Sequence, residues 1–266
     1  MQPSMTRTQF GQIQNLLESY TGIRLGEHKR IMVENRLSAR LKAKKCPSYD
    51  DYLLLLSSGE NSEEFGWFID KLTTHETSFF REPHQFESLK QILRRRKSIT
   101  PIRVWSAACA TGEEAYSLAM LLTDELGTAS WSLVGSDVSQ ASLNKARECR
   151  YQISLVERIP ANYRKAYCLK GVGDYDGYFT VSHDVRRFCQ FTQTNLLSAS
   201  FEQEFEVIFL RNVLIYFDVA KQQQILTNVI NQLVVGGYLF LGHSENVLKG
   251  HPQMEIIENC IYRRVA

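Results

Sequence analysis

Val104-Trp-Ser-Ala-Ala-Cys-Ala-Thr-Gly-Glu-Glu-Ala-Tyr-Ser117 runs from a strand-like apolar segment through small residues into a helix that opens with two carboxylates. Small side chains at Ala107, Ala108, Ala110 and Gly112 let the backbone approach a ligand closely, as the turn after the first strand does in nucleotide-binding α/β folds. Glu113 and Glu114 argue against a phosphate there, because an anion needs the bare N–H groups and positive dipole of a helix start. A phosphate-free cofactor carrying hydroxyls and positive charge fits better. S-adenosylmethionine, with its sulfonium and ammonium, is of this kind. The competing reading is a tightly packed strand-to-helix turn whose acids serve the helix dipole.

The next strand-like run, Trp131-Ser-Leu-Val-Gly-Ser-Asp137, ends in an acid about one strand-helix-strand unit later. An acid in that place can grip both ribose hydroxyls. A helix cap is the alternative, since Asp137 precedes a helical pattern over 139–150.

Upstream, residues 1–75 read as all-helical, with pieces at about 8–19, 27–45, 49–56 and 63–72 punctuated by Gly22, Pro47 and Gly59. Strand and helix patterns alternate only from about Ile102. The chain is therefore expected to divide into a helical domain over 1–75, a linker and helix over 76–100 contributing to the cofactor site, and an α/β domain over 101–266. Arg94-Arg-Arg-Lys97 ahead of Pro101 reads as a solvated helix end. Lys29, Arg36, Arg40 and Lys44 share one helix face beside the apolar strip Val33, Leu37 and Leu41. That face is either a solvated side or a docking surface for something acidic, a partner helix or nucleic acid.

Beyond Asp137 the alternation breaks: 151–185 holds Pro160, Gly171, Gly173, Gly177 and the alternating Tyr178-Phe-Thr-Val181, a hairpin-rich insertion with its β-subdomain at about 165–187. The parallel sheet resumes over 187–193, with Asn195-Leu196 just past its carboxyl end, where such sheets bind ligands. Val207-Ile-Phe-Leu210 is a buried strand. A helix over 222–233 is expected to end at Gly236-Gly237, followed by a strand Tyr238-Leu-Phe-Leu241 and a closing strand over 256–263.

Composition sets outer limits. The 266 residues, 44% of them hydrophobic, suffice for one large or two small domains, and a formal charge of +2 implies no particular partner. No apolar run approaches a membrane span and Met1–Phe10 lacks a signal-peptide core, so a cytoplasmic protein without membrane insertion is expected. The six cysteines form no C-x-x-C pair and read as reduced thiols, with no metal site.

Several separated motifs complete the pattern: Thr73-Thr-His-Glu-Thr-Ser-Phe-Phe-Arg-Glu82, the Trp105–Glu114 turn, Ser136-Asp137, Asn195-Leu196, Arg211-Asn-Val-Leu-Ile-Tyr-Phe-Asp218 and Gly242-His-Ser-Glu-Asn246. Together they resemble the CheR-type chemotaxis receptor glutamate O-methyltransferases over almost the whole chain. The resemblance implies a class I methyltransferase (Rossmann-like) sheet with an N-terminal all-helical domain and an inserted small antiparallel β-subdomain. It also implies S-adenosylmethionine as methyl donor, S-adenosylhomocysteine as product, and a glutamate methyl ester formed on the cytoplasmic helical region of chemotaxis receptors in sensory adaptation.

Carried over residue by residue, the resemblance suggests cofactor contacts from His75, Thr77, Arg81, Glu113, Asp137, Asn195, Leu196, Asn212 and Val213. His75 departs from the family's usual Asn, which alters the donor geometry at that contact. Arg81 and Tyr216 are the candidates for orienting the acceptor carboxylate by hydrogen bonds, and Arg36 and Arg40 for receptor docking. In some members of the resembled family the β-subdomain tethers the enzyme to a receptor C-terminal peptide, and the same mode is expected here. Two other readings stand beside this one: an RNA or DNA amino-methyltransferase, and a non-catalytic S-adenosylmethionine-binding signalling module. Nucleic-acid amino-methyltransferases commonly carry two prolines and an aromatic after the Asn or Asp at the end of the fourth strand, and Arg211-Asn-Val-Leu214 lacks them.

Overall fold

The computed structural model describes residues 4–58, 63–96, 101–128 and 130–266. Gly59 and Lys97, singled out above, lie outside the described residues. The N-terminal part is helical: α1 (Arg7–Thr21), α2 (Arg30–Ala43), α3 (Tyr49–Ser57) and α4 (Glu63–Leu72). Local chemistry sets several of these boundaries. Thr6 and Gln9 form a reciprocal capping box at the start of α1, Gly22 ends it at φ 78°, and Ser48 caps α3. Between Gly26 and Arg30 a short 3₁₀ turn, Glu27–Lys29, precedes α2, so the expected 27–45 helix begins three residues late. Phe10, Ile13, Leu17, Val33, Leu37, Tyr52 and Phe68 bury at helical spacing to form this domain's own core.

The remainder follows in the order α5 (Pro83–Arg95), β1 (Ile102–Ala107), α6 (Glu113–Leu126), β2 (Trp131–Asp137) and α7 (Gln140–Glu148), then β3 (Tyr151–Gln152), α8 (Ala161–Tyr167), β4 (Cys168–Lys170), β5 (Tyr178–Val181) and α9 (His183–Arg186). It ends with β6 (Cys189–Gln193), β7 (Phe205–Leu210), α10 (Val219–Asn231), β8 (Leu233–Leu241), β9 (Met254–Glu258) and β10 (Ile261–Arg264). Among the described residues, seven strands make one sheet in the order β6-β2-β1-β7-β8-β10-β9. The first four pairings are parallel, and β10 runs antiparallel to both its neighbours. Alternate residues feed two cores: Val104, Leu133, Val207 and Phe240 face one side with α6, whereas Trp105, Ile208, Leu239 and Tyr262 face the other with α10. Burial on both faces is what a parallel sheet covered by helices requires. The strand order reverses between β1 and β7, which opens a crevice at the carboxyl ends of these strands.

Three expectations need correction. Gly236 and Gly237 do not end a helix; they lie inside β8, where Gly236 takes φ 84° and the register with β7 shifts between Phe205 and Val207. A Cβ at Gly237 would come within 3.0 Å of backbone oxygens of Val234 and Glu206, so a glycine is required by this bulge. The expected closing strand is a hairpin, β9 and β10, turning at Cys260 with φ 59°. The small antiparallel sheet, ordered β3-β5-β4, begins at Tyr151, ahead of the expected 165–187 range.

The helical domain is tied to the sheet at its carboxyl edge. Asn195 Nδ2 donates to Tyr20 O at 2.6 Å, Arg24 N to Tyr216 O at 3.3 Å and Ser139 Oγ to Asp70 Oδ1 at 2.9 Å, while Lys221 pairs with Glu18. Gly22 sits where a Cβ would collide with Leu197 Cδ1 at 2.4 Å, so the end of α1 packs directly on the loop after β6.

Candidate active site

A cavity of about 560 Å³ opens at the carboxyl ends of β1, β2, β6 and β7 and is closed on its far side by the turn 21–32 of the helical domain. His75, Thr77, Arg81, Asp137, Asn195, Leu196, Asn212, Val213 and Tyr216 all line it. Glu113 does not; among the two acids that open α6, it is Glu114 that reaches the lining. Glu113 is buried against Thr111, whose hydroxyl donates to Glu113 Oε2 at 2.6 Å, and burial pushes its carboxyl above the usual range. Helix periodicity alone could not tell which of two adjacent acids turns inward.

The loop that follows β1 is strained and braced. Ala108 (φ 61°) and Ala110 (φ 47°) both hold left-handed backbone, a conformation costing a non-glycine residue roughly 1–2 kcal/mol. Ala110 N donates to Asp137 Oδ2 at 2.9 Å and Cys109 N to Ser136 O at 2.8 Å, which fixes this shape from the neighbouring strand. Asp137 Oδ1 accepts from Ser139 N at 2.9 Å, and Ser139 in turn caps α7. The helix-cap alternative for Asp137 is corrected, because Ser139 is the cap of α7; Asp137 instead braces the turns on either side of it and lines the cavity. Burial raises its carboxyl above the ordinary value, although the backbone donors oppose that shift.

His75 stands at the junction of the two domains. Its Nδ1 lies 3.0 Å from Ser142 Oγ on α7, and its Nε2 lies 2.9 Å from Thr73 Oγ1 and 3.4 Å from Asp70 Oδ1. Both ring nitrogens therefore have partners. Arg81 donates from Nη1 to Glu76 O at 3.0 Å and remains on the cavity wall. Asn195 Oδ1 accepts from Leu197 N at 2.9 Å, an Asx turn that shapes the loop after β6. The Tyr216 hydroxyl has no protein partner among the described residues.

Sequence reasoning missed the polar group beneath this wall. Arg211 is almost fully buried, and donates from Nε to Glu114 Oε2 (2.8 Å), from Nη1 to Gln85 Oε1 (2.9 Å) and from Nη2 to Arg81 O (2.8 Å). Glu114 Oε1 also accepts from Ser106 Oγ at 2.7 Å, so one carboxylate couples β1, α6 and the end of β7. The signal was available: an Arg directly after an apolar central strand must enter a low-dielectric region and needs a buried acid.

The docking pair expected on α2 already has partners within the helical domain. Arg40 forms a two-pronged ion pair with Glu64, a buried carboxylate that also accepts from Tyr52 Oη at 2.8 Å. Arg36 Nη1 donates to the carbonyls of Lys71 and Thr73 at 3.2 and 3.3 Å. Both guanidiniums satisfy acceptors of the helical domain itself. They shared a face, as expected, but that face packs against α4.

A cofactor with this lining must tolerate acids and lack phosphate. Glu114 and Asp137 are on the wall, Glu113 and Glu114 occupy the first turn of α6, and small residues at 107–110 leave the backbone open. These residues suit S-adenosylmethionine, which has hydroxyls for a carboxylate to accept from and a cationic end that acids on the wall tolerate. Sheet order, switch-point cavity and acid-lined wall together define a class I S-adenosylmethionine-dependent methyltransferase. The particular lineage follows from comparison: residues 75–262 match the family model "CheR methyltransferase, SAM binding domain" and residues 8–73 match "CheR methyltransferase, all-alpha domain", so the chain belongs to the CheR methyltransferase family.

Among its relatives, the chemotaxis protein methyltransferase of Escherichia coli K12 is 40% identical over 247 residues, covering 91% of this chain and 86% of that protein. The Salmonella typhimurium protein of the same name is 39% identical over 247 residues, covering 91% and 85%. Chemotaxis protein methyltransferase 2 of Pseudomonas aeruginosa is 36% identical over 262 residues, covering 97% and 93%. Among the described residues no helix is long and apolar enough to cross a membrane, and no group of three or more His, Cys, Asp or Glu side chains is placed to hold a metal. All six cysteines are free.

Proposed function

We propose that this chain methylates glutamate side chains in the cytoplasmic helical region of chemotaxis receptors, forming glutamate methyl esters in sensory adaptation. The observation that carries this reading is the cavity's second half. Besides the residues that would hold the cofactor, its lining includes Arg81, Ile215 and Tyr216 and, from the helical domain, Arg24, His28, Lys29 and Met32, a set rich in cationic and apolar groups. An acidic side chain presented by a helix matches that rim. The relatives' names as chemotaxis protein methyltransferases support the same substrate class.

When bound, S-adenosylmethionine supplies an electrophilic methyl group carried on a sulfonium. Asp137, Asn195, Leu196, Asn212, Val213, His75 and Thr77, all on the cavity wall, would hold the cofactor. Arg81 would grip the acceptor carboxylate by charge-assisted hydrogen bonds and the Tyr216 hydroxyl would donate to it, orienting the carboxylate for attack. No residue need act as a base, because a glutamate with an ordinary pKa of about 4.3 is already ionised at neutral pH. Ile23, Leu25, Met32 and Phe217 line the same cavity and exclude water. That favours a reaction in which opposite charges cancel.

The β-subdomain offers β4 as an outer edge strand flanked by exposed Leu169, Val172 and Tyr175. An extended receptor C-terminal peptide pairs with such an edge, and this is the tether we propose. Lys29, which lines the cavity mouth, is available for docking, whereas Arg36 and Arg40 already hold acceptors of the helical domain.

The deciding experiment incubates the protein with labelled S-adenosylmethionine and receptor-rich membranes of its own organism, with tRNA as a control, and maps modified residues by mass spectrometry. Base-labile label on receptor glutamates is expected. Label on tRNA, or none on receptors, would overturn the assignment.

A further inference from the structure

Glu245 is buried in the loop after β8, and its carboxylate accepts four backbone N–H groups. Oε2 takes those of Gly242 and Asn212, each at 2.8 Å; Oε1 takes those of Val213 at 2.8 Å and Leu214 at 2.7 Å. Three consecutive amides of the 212–214 segment thus converge on one side chain more than thirty residues away in sequence. A concave run of N–H groups of this kind ordinarily binds an external anion. Here the anion belongs to the chain.

Two further features belong to the same arrangement. Asn212 holds φ 57°, a left-handed conformation that must be maintained by its surroundings. Gly242 lies so close that a Cβ would come within 2.7 Å of Asn212 N, Asn212 Nδ2 and Glu245 Oε2, so any side chain there would part the carboxylate from the amides. The gripped Asn212 and Val213 line the cavity, and Ile215, Tyr216 and Phe217 just after the gripped amides do so too.

We propose that Glu245 is a positioning residue for methyl transfer: its carboxylate sets the 212–216 turn so that Asn212 and Val213 meet the cofactor and Tyr216 meets the acceptor. The acceptor half rests on the function proposed above; the cofactor half does not. The requirement is for a carboxylate specifically. Each oxygen receives two N–H groups, so a glutamine, flipped either way, turns its own NH₂ donor toward two donors.

The test uses the full chain. In the wild type, hydrogen exchange read by mass spectrometry should find the 212–214 amides protected like those of β7; rapid exchange there would overturn the proposal without any variant. Calorimetry should then find S-adenosylhomocysteine bound at least roughly tenfold more weakly by Glu245→Gln, with Glu245→Asp recovering part of the loss because it retains two acceptor oxygens. At saturating cofactor, kcat for receptor methylation should fall while the receptor KM stays near the wild-type value. A purely structural role lowers the unfolding temperature and leaves affinity and kcat intact in the folded variant, and that result would reject positioning. Should Glu245→Gln not fold, wild-type exchange and Glu245→Asp decide. Failure of the wild type to methylate receptors would count against the proposed function alone, since S-adenosylhomocysteine binding still reports on Glu245.

Discussion

The guanidinium of Arg211 and the carboxylate of Glu114 meet at 2.8 Å with only 1% and 11% of their side chains exposed, joining the end of β7 to the first turn of α6 directly beneath the cofactor wall. Breaking one side of such a pair leaves an uncompensated charge in a region of low dielectric, at a cost of about 3–5 kcal/mol. Arg211→Met should therefore destabilise the protein by that order in urea unfolding, and Glu114→Gln added to it should recover part of the loss. Equal stability of the single and double variants would show that the two charges are not coupled.

Asp137→Ala removes a side chain with two duties. Ala110 and Ser139 lose their acceptor, so stability falls, and a charge-assisted cofactor contact worth roughly 1.5–3 kcal/mol is lost as well. Calorimetric titration of the folded variant should show S-adenosylhomocysteine affinity reduced by roughly ten- to a hundredfold. Undiminished affinity would remove Asp137 from the ribose.

Tyr216→Phe deletes a hydroxyl that has no protein partner among the described residues, so folding should be untouched. Turnover at saturating receptor and cofactor should drop, with cofactor affinity unchanged. Full turnover would make Tyr216 a packing residue.

Arg40 and Glu64 carry a pH signature. Burial works to raise the Glu64 carboxyl, but hydrogen bonds from Arg40 and Tyr52 outweigh it and hold the folded value below 4.5. Stability from this lowered value is present above the unfolded pKa and is lost as pH falls through the folded one. Glu64→Gln should cost stability at neutral pH, and its urea-unfolding curve should approach the wild type's as pH falls through the lowered folded value of Glu64. The double reversal of Arg36 and Arg40 to Glu should unfold the helical domain, visible by circular dichroism, before it reports on docking. A folded double variant with normal stability would restore these arginines as candidates for a docking surface.

Titration with C-terminal peptides of the organism's own receptors tests the β4 edge. Binding abolished by Lys170→Pro is expected: the bonds to β5 fall at Tyr167 and Gly171 and hence at Leu169 between them, so the Lys170 N–H lies on the open side of β4. Efficient receptor methylation with no peptide bound would eliminate the tether.

Much of the architecture was written in local patterns. Small residues at 107–112 after an apolar strand, an acid at the end of the next strand and a helical period over the first 75 residues each follow from neighbours in sequence, and the folded chain places them accordingly. The errors arose where a long-range partner overrides a local sign. Gly236-Gly237 looks like a helix stop until β7 is beside it, and the 256–263 run looks like one strand until it turns back at Cys260.

What the sequence determined alone was the class of fold and the neighbourhood of the cofactor, because strand-end position and side-chain size act over a few residues. Tertiary structure decided which charges work. Arg36 and Arg40 bind the helical domain's own acceptors, Glu114 rather than Glu113 faces the cavity, and Arg211 and Glu245 are buried. A charge gains or loses its role by what surrounds it once water is removed, and the deciding partners lie as far as 130 positions away in sequence.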